Sequence, residues 1–199
     1  MFDIDPTAPT VIEIPGLLNL DECNSLITKI EGLGPEIATI NTLGGTEVVP
    51  DVRNNDRVIF DDEQFAQTLL SRIEDQAPKE IYQMSLVGIN ERFRCYRYKP
   101  GMRFARHRDG AFHRNHYERS CYSFLVYLNE DFEGGQTAFF AGYTAEPVLS
   151  IHPKTGMGLL FQHRLLHEGC IVTSGVKYVA RTDLMYRKES SRSGSSQTG

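Results

Sequence analysis

The sequence predicts an α+β fold, a double-stranded β-helix (jelly roll) core with N-terminal supporting helices. Three observations carry that prediction. Two segments with helical apolar periodicity lie before residue 87, a series of short β-rich runs begins at Arg92, and Gly- or Pro-containing turns separate those runs.

In chain order, Thr10 to Ile14 reads as a short strand, and Asn19 offers a cap to a helix whose Cys23, Leu26, Ile27 and Ile30 share one face. Asp61 and Asp62 cap a second helix, with Phe65, Leu69, Leu70 and Ile73 as the stripe and Gln64, Gln67 and Arg72 elsewhere; its apolar face is expected to back a sheet. The runs Phe93 to Tyr98, Tyr122 to Leu128, Thr137 to Phe140, Val148 to Ile151, Gly158 to Phe161, Gly169 to Thr173 and Tyr178 to Tyr186 read as strands. Pro100-Gly101, Gly134-Gly135, Pro153 to Gly156 and Ser174-Gly175 punctuate them. The expected organisation is one domain over 1–187, with supporting helices in 1–87 and the β-helix core in 88–187. Residues 188–199 are nearly devoid of apolar side chains and read as a disordered tail.

Bulk properties narrow the function. A chain of 199 residues with 40% apolar and 10% aromatic content can bury a sizeable core. The net charge of -5 argues against a nucleic-acid partner. No apolar run has the length of a membrane span, and Met1 to Pro9 carries acids where a secretory peptide is basic and then apolar. Cys23, Cys95, Cys121 and Cys170 are scattered and show no CxxC spacing, which argues for a reducing compartment and against structural zinc. A soluble, cytoplasmic protein is the expectation.

The chemistry begins at His107-Arg108-Asp109. If this triplet stays extended, the period of two sets imidazole and carboxylate on the same side of a sheet. His167, at the start of a strand after the apolar run Gly158 to Phe161, is the histidine that an antiparallel neighbour could bring against them. Two imidazoles and one carboxylate on one face of an octahedron form the facial triad of non-haem Fe(II) oxygenases, whose open positions admit a keto acid and oxygen. On the strand after His167, Lys177 and Arg181 share one face. Two cations in an apolar strand need an anion: either a co-substrate carboxylate or a protein carboxylate such as Asp183 or Glu168.

Four separated stretches now occur in a telling order. They are Tyr98 to Asp109, Tyr127 to Phe139, Pro153 to Gly156 with Leu159 to Phe161, and His167-Glu168-Gly169 with Gly175 to Tyr178. Together, over roughly residues 88 to 187, they resemble the prolyl 4-hydroxylase-like branch of the 2-oxoglutarate/Fe(II) dioxygenases. The resemblance implies Fe(II), 2-oxoglutarate and O2, with ascorbate as an accessory reductant. It implies hydroxylation of an unactivated C–H bond of a peptide or small molecule, with release of succinate and CO2. By the same resemblance Tyr98 and Tyr127 add hydroxyl donors to the co-substrate carboxylate and Lys177 is its ion-pair partner. Arg181 is the alternative holder of that carboxylate or of the metal-bound end. Because Asp109 is a carboxylate and not a small residue, hydroxylation is favoured over halogenation.

The substrate side is less defined. Phe104 stands where prolyl hydroxylases carry a tyrosine, three residues before the first iron histidine, which argues against peptidyl-proline. Arg57 is a candidate for a substrate carboxylate, with a structural ion pair to Asp56, Asp61 or Asp62 as the alternative. The loop Gly110 to Ser120 reads as part of the substrate mouth or as a solvated loop; His113 and His116 within it do not read as a second metal site. His152 and His163 read as surface or packing residues. The competing class is a cupin-like metal-binding barrel without catalysis, or one used for sensing; oligomeric state is open.

Overall fold

The structure, a computed structural model, describes residues 4–42, 45–47 and 49–188, so the expected tail lies outside the described residues apart from Lys188. β1 (Val11–Ile14) leads into α1 (Leu20–Gly32), followed by β2 (Glu36–Ile37), β3 (Ile40–Thr42), β4 (Gly45–Glu47), β5 (Asp56–Asp61), α2 (Glu63–Arg72), β6 (Glu80–Ile81) and β7 (Met84–Ile89). From there the regular elements are strands: β8 (Arg92–Tyr98), β9 (Phe104–His107), β10 (Glu118–Tyr127), β11 (Phe132–Gly134), β12 (Thr137–Phe140) and β13 (Pro147–Ile151). β14 (Gly158–Gln162), β15 (Leu166–Gly169), β16 (Val172–Gly175) and β17 (Lys177–Lys188) complete the chain. Among the described residues no helix is long and apolar enough to cross a membrane.

Both helices start where their caps predict. Asn19 Oδ1 accepts from the Glu22 amide at 2.9 Å while Glu22 Oε2 accepts from the Asn19 amide at 2.9 Å, a reciprocal capping box. Asp62 Oδ1 accepts from the Phe65 amide at 3.0 Å. The stripes then bury as their periodicity requires. Cys23 and Ile30 of α1, with Leu69 of α2 and the adjoining Ile73, join one core with Phe93, Cys95, Phe124, Ala180 and Leu184 of the sheet behind them.

That sheet has nine strands and runs β1-β14-β10-β17-β8-β5-β2, with β7 on the remaining edge of β17 and β6 beside β7. Its other face meets a smaller sheet, β13-β12-β15-β9, across a second core of Tyr96, Tyr98, Tyr127, Phe139, Leu159, Phe161 and Val179. Strand alternation therefore has a consequence for function: along β17, Tyr178, Ala180 and Leu184 face the helices, while Lys177, Val179 and Arg181 face the barrel interior.

Two differences from the sequence reading have physical causes. Besides the expected strand at β1, the segment before the β-helix core supplies further strands as well as helices, because β5 and β7 cover open edges of β8 and β17. The expected strand Gly169 to Thr173 is two strands. β15 ends at Gly169 on the small sheet, Gly134 crowds the Ile171 carbonyl, and β16 restarts at Val172 to pair with β11.

The Pro153 to Gly156 turn ties this architecture together. Gly156 has φ +74, its amide donates to the Tyr127 carbonyl at 2.8 Å, and its carbonyl accepts from Leu18 N at 3.0 Å. A Cβ there would sit 2.0 Å from the Leu18 carbonyl oxygen. Gly156→Ala is accordingly expected to lower unfolding free energy by about 2–4 kcal/mol in chemical denaturation. Gly32→Ala, at a helix end with nothing within 4 Å, is expected to be neutral or stabilising by up to ~1 kcal/mol.

Candidate metal centre and anion pocket

His107 and His167 are direct cross-strand partners in the β9–β15 pairing, which brings their ring centroids to 4.2 Å. Asp109 follows two residues later, its amide held by the His163 carbonyl at 2.9 Å. One ligating atom from each of the three residues lies within 4.8 Å of the others. Both rings are oriented by backbone: His107 Nδ1 meets the Ala105 carbonyl at 2.8 Å and His167 Nδ1 meets the Leu165 carbonyl at 3.0 Å. A carbonyl only accepts, so each Nδ1 carries a proton, which leaves each Nε2, on the carboxylate side, as the nitrogen a metal would take. Those Nε2 atoms stand 3.5 and 3.7 Å from the Asp109 oxygens. Burial alone would raise the Asp109 carboxyl, but Arg181, followed by the histidines, holds it well below the ordinary carboxylate range. Burial, only partly opposed by Asp109, brings His167 down to about 4. An ionised carboxylate, a neutral His167 imidazole and the His107 ring beside them offer the two-nitrogen, one-oxygen donor set of a divalent metal site open on one side.

The cleft beside it is lined by Tyr98, Leu125, Thr137, Gly169, Lys177 and Val179, among others. Lys177 is 3% exposed, and burial lowers its ammonium to about 8. Its Nζ donates to the Gly135 carbonyl at 2.6 Å and lies 5.3 Å from the ring centres of both Tyr98 and Tyr127. No carboxylate pairs with it among the described residues, and Glu168 pairs instead with Arg106 at 3.2 Å. Gly135 permits this approach, since a Cβ there would come within 3.2 Å of Lys177 Cδ. Arg181 is different. Its Nη2 is 3.2 Å from both Asp109 Oδ2 and Asp183 Oδ1, so the alternative of a protein partner holds for this cation.

The profile of the 2OG-Fe(II) oxygenase superfamily matches residues 93–182, a span that contains His107, Asp109, His167, Lys177 and Arg181. That match covers 90 of the 199 residues and sets residues 93–182 among the 2OG-Fe(II) oxygenases. The chain is 24% identical over 205 residues to "Probable prolyl 4-hydroxylase 9" of Arabidopsis thaliana, covering 90% of this chain and 69% of that one. Its fold matches the viral collagen prolyl hydroxylase of Paramecium Bursaria Chlorella virus-1 in complex with 2OG, at TM-score 0.60 and 22% identity over 90% and 97% of the two chains. The prolyl-4-hydroxylase of Pseudomonas putida matches at TM-score 0.60 and 17% identity, over 90% and 93%. A prolyl hydroxylase of Trichoplax adhaerens, bound to a hypoxia inducible factor peptide fragment, matches at 0.59 and 21%, over 94% and 87%.

The remaining predicted residues divide. Tyr98 lines the cleft, whereas the Tyr127 hydroxyl is 2.7 Å from Thr137 Oγ1, and Thr137 presents the hydroxyl that lines it. The Phe104 ring stacks on His107 at 3.5 Å. Arg57 contacts neither Asp56, Asp61 nor Asp62, which pair with Arg97 and Lys99, Arg92, and Lys29 respectively. It donates instead to Thr39, at 3.3 Å to the carbonyl and 3.0 Å to Oγ1. Of the loop Gly110 to Ser120, Gly110, Ala111, Arg119 and Ser120 line a second cavity beyond Asp109, with His163.

Sequence reasoning missed Ser123 and did not see the hydrogen bonds of His163, which it read as a surface or packing residue. Ser123 Oγ donates to Asp109 Oδ2 at 2.5 Å, and buried His163 bridges Ser123 (2.8 Å) and Ser120 (2.8 Å) through its two nitrogens. The signal was available for Ser123, a polar residue at an inward position of the run Tyr122 to Leu128. Ser123→Ala is expected to weaken divalent metal binding ~10–100-fold in a competition titration; unchanged affinity would show that the hydroxyl does not orient the carboxylate.

Proposed function

We propose that His107, Asp109 and His167 hold Fe(II), that Lys177 holds the distal carboxylate of 2-oxoglutarate, and that the enzyme hydroxylates an unactivated C–H bond of a peptide or small molecule. The observation that carries this is the buried Lys177 ammonium, whose hydrogen-bond partner among the described residues is a carbonyl, sharing a cleft with a His/His/Asp cluster. A cation so buried costs several kcal/mol without a counter-charge, and a carboxylate arriving with the co-substrate supplies it. Tyr98 and Thr137 add neutral hydroxyls around the same position. The match to a structure solved as a 2OG complex supports the reading, and a plain metal-storage barrel has no use for Lys177.

When bound, Fe(II) with 2-oxoglutarate and O2 supplies the oxidising power, and the keto acid leaves as succinate and CO2. The protein's part is positional. Ala105 and Leu165 carbonyls fix the two imidazoles, Ser123 and Arg181 fix the carboxylate, and Phe104, Leu125 and Val179 supply the cleft with apolar walls. The viral relative is named for collagen and the Trichoplax one is bound to a peptide; a peptide substrate would follow the same pattern here.

Asp109→Ala is expected to abolish 2-oxoglutarate-dependent succinate release, and retention of coupled turnover would contradict the ligand assignment. A second expectation concerns pH. Because Lys177 titrates near 8 in the free protein, 2-oxoglutarate binding should be pH-independent below about 8 and weaken by about tenfold per unit above it, as a proton must be taken up on binding. Calorimetry on Mn(II)-loaded protein measures this, and Lys177→Arg should flatten the profile.

A further inference from the structure

The inner face of the large sheet carries a second, larger surplus of positive charge at the end away from Lys177. Arg181 pairs across strands with Arg94, and Tyr96, two residues along β8, pairs with Arg57 on β5. Arg53 joins them from the segment before β5, bridged to Phe104 on β9. Against four guanidiniums stand two carboxylates. Asp183 lies 3.2 Å from Arg181 and 3.5 Å from Arg94, and Asp109 lies 3.2 Å from Arg181. Arg53 and Arg57 have no ion-pair partner among the described residues. Arg53 is only 5% exposed, its Nε donating to Asn55 Oδ1 at 2.8 Å and its Cζ lying 4.4 Å from the Tyr96 ring centre and 4.3 Å from that of Phe104.

The hydrogen-bond accounting at this place is also incomplete. Arg53 Nη2 and Arg181 Nε are buried without a well-formed hydrogen bond, and the acceptor near both is the single Tyr96 hydroxyl oxygen, which the two guanidiniums share. Both nitrogens can only donate, so one phenol oxygen stands against two charged donors. Burial would raise the Tyr96 phenol, yet the neighbouring Arg53 and Arg181 guanidiniums bring it below its ordinary range, so the three groups sit in one field. Each unmade buried bond costs about 1–3 kcal/mol. A neutral carbonyl would satisfy one donor or two but leave the charge of Arg53 and Arg57 unanswered. A planar anion with two acceptor oxygens satisfies both, and the guanidinium fork matches that shape.

The co-substrate does not account for this anion. Lys177 and Arg181 are four residues apart on β17, roughly 13 Å at the strand rise, and Arg53 lies next to Phe104 and Tyr96 at the Arg181 end. We infer that the substrate carries a carboxylate, received by Arg53 and Tyr96 beside the metal cleft, with Arg57, the cross-strand neighbour of Tyr96, adding to the positive field. This rests on the oxygenase reading above and adds the substrate class to it. Phe104, lying between its contacts to His107 and Arg53, then offers an apolar surface to the carbon skeleton between the carboxylate and the metal.

The test uses the full chain loaded with Mn(II) and saturated with 2-oxoglutarate, titrated with the free amino acids, their N-acetyl derivatives and the matching carboxamides, and read by thermal shift. The Fe(II) enzyme is then assayed for succinate release above its substrate-free rate with the same panel. The expected result is that some carboxylates raise Tm and accelerate succinate release, with their carboxamides at least tenfold weaker. Arg53→Met and Tyr96→Phe should raise the half-saturating concentration of those acids at least tenfold while 2-oxoglutarate binding stays at the wild-type value. Should Arg53→Met fail to fold, Arg57→Gln replaces it. Amides as effective as acids, no response to any acid, or equal weakening of acid and 2-oxoglutarate would each overturn the inference. A protein that binds no 2-oxoglutarate at the loading step overturns the oxygenase reading itself, and does so before the panel is applied.

Discussion

The interior of this barrel is not electrically balanced by its own side chains. Asp109 and Asp183 answer Arg181 and Arg94, while Lys177 and Arg53 stay buried without a carboxylate among the described residues. Cations are removed from water at a cost of several kcal/mol each after relaxation, so a fold that keeps two of them unpaired gives up stability that Met or Leu at the same positions would restore. Such a deficit is typical of a site whose missing charges arrive with ligands. The imbalance is also sorted in space: one unpaired cation stands near each end of the cleft, and the His/His/Asp cluster belongs to the wall between them.

That sorting depends on the large sheet. β17 is paired on both sides, by β10 and by β8 and β7, so its inward residues have little freedom to turn away. The helices matter to the site through this strand: Ala180 and Leu184 are locked into the helix-side core, which fixes the alternation that sends Lys177 and Arg181 inward. The smaller sheet performs the complementary task. Its β9–β15 register sets His107 opposite His167, and backbone carbonyls aim both rings through hydrogen bonds. Ser123 reaches from the large sheet to Asp109 on the loop after β9, so the carboxylate joins the two layers.

Much of this was legible from residue order. The caps at Asn19 and Asp62 and the apolar stripes located both helices, and period-two alternation put His107 with Asp109 and Lys177 with Arg181. What alternation cannot supply is the identity of cross-strand partners. Lys177 and Arg181 look equivalent along β17; they differ because Asp109, brought in by another sheet, reaches one and not the other. Arg53 was invisible for a related reason, since it lies in an irregular segment with no periodicity and acquires its meaning from Tyr96 and Phe104 on two different strands. β7 was missed because Gly88 and Ser85 dilute its apolar pattern, and it is held as a strand by the β17 edge more than by its own sequence. Reading His163 as a packing residue captured its burial but not its two hydrogen bonds to serines.

The account stands or falls on the assignment of the uncompensated Lys177 to the co-substrate. Anaerobic titration of the protein with Fe(II) and 2-oxoglutarate, following the weak visible metal-to-ligand charge-transfer band, addresses it most directly. A band that forms in the wild-type protein and requires at least tenfold more 2-oxoglutarate in Lys177→Ala, with Fe(II) affinity unchanged, is the predicted result. An unchanged 2-oxoglutarate requirement in that variant, or no band despite tight metal binding, would contradict it.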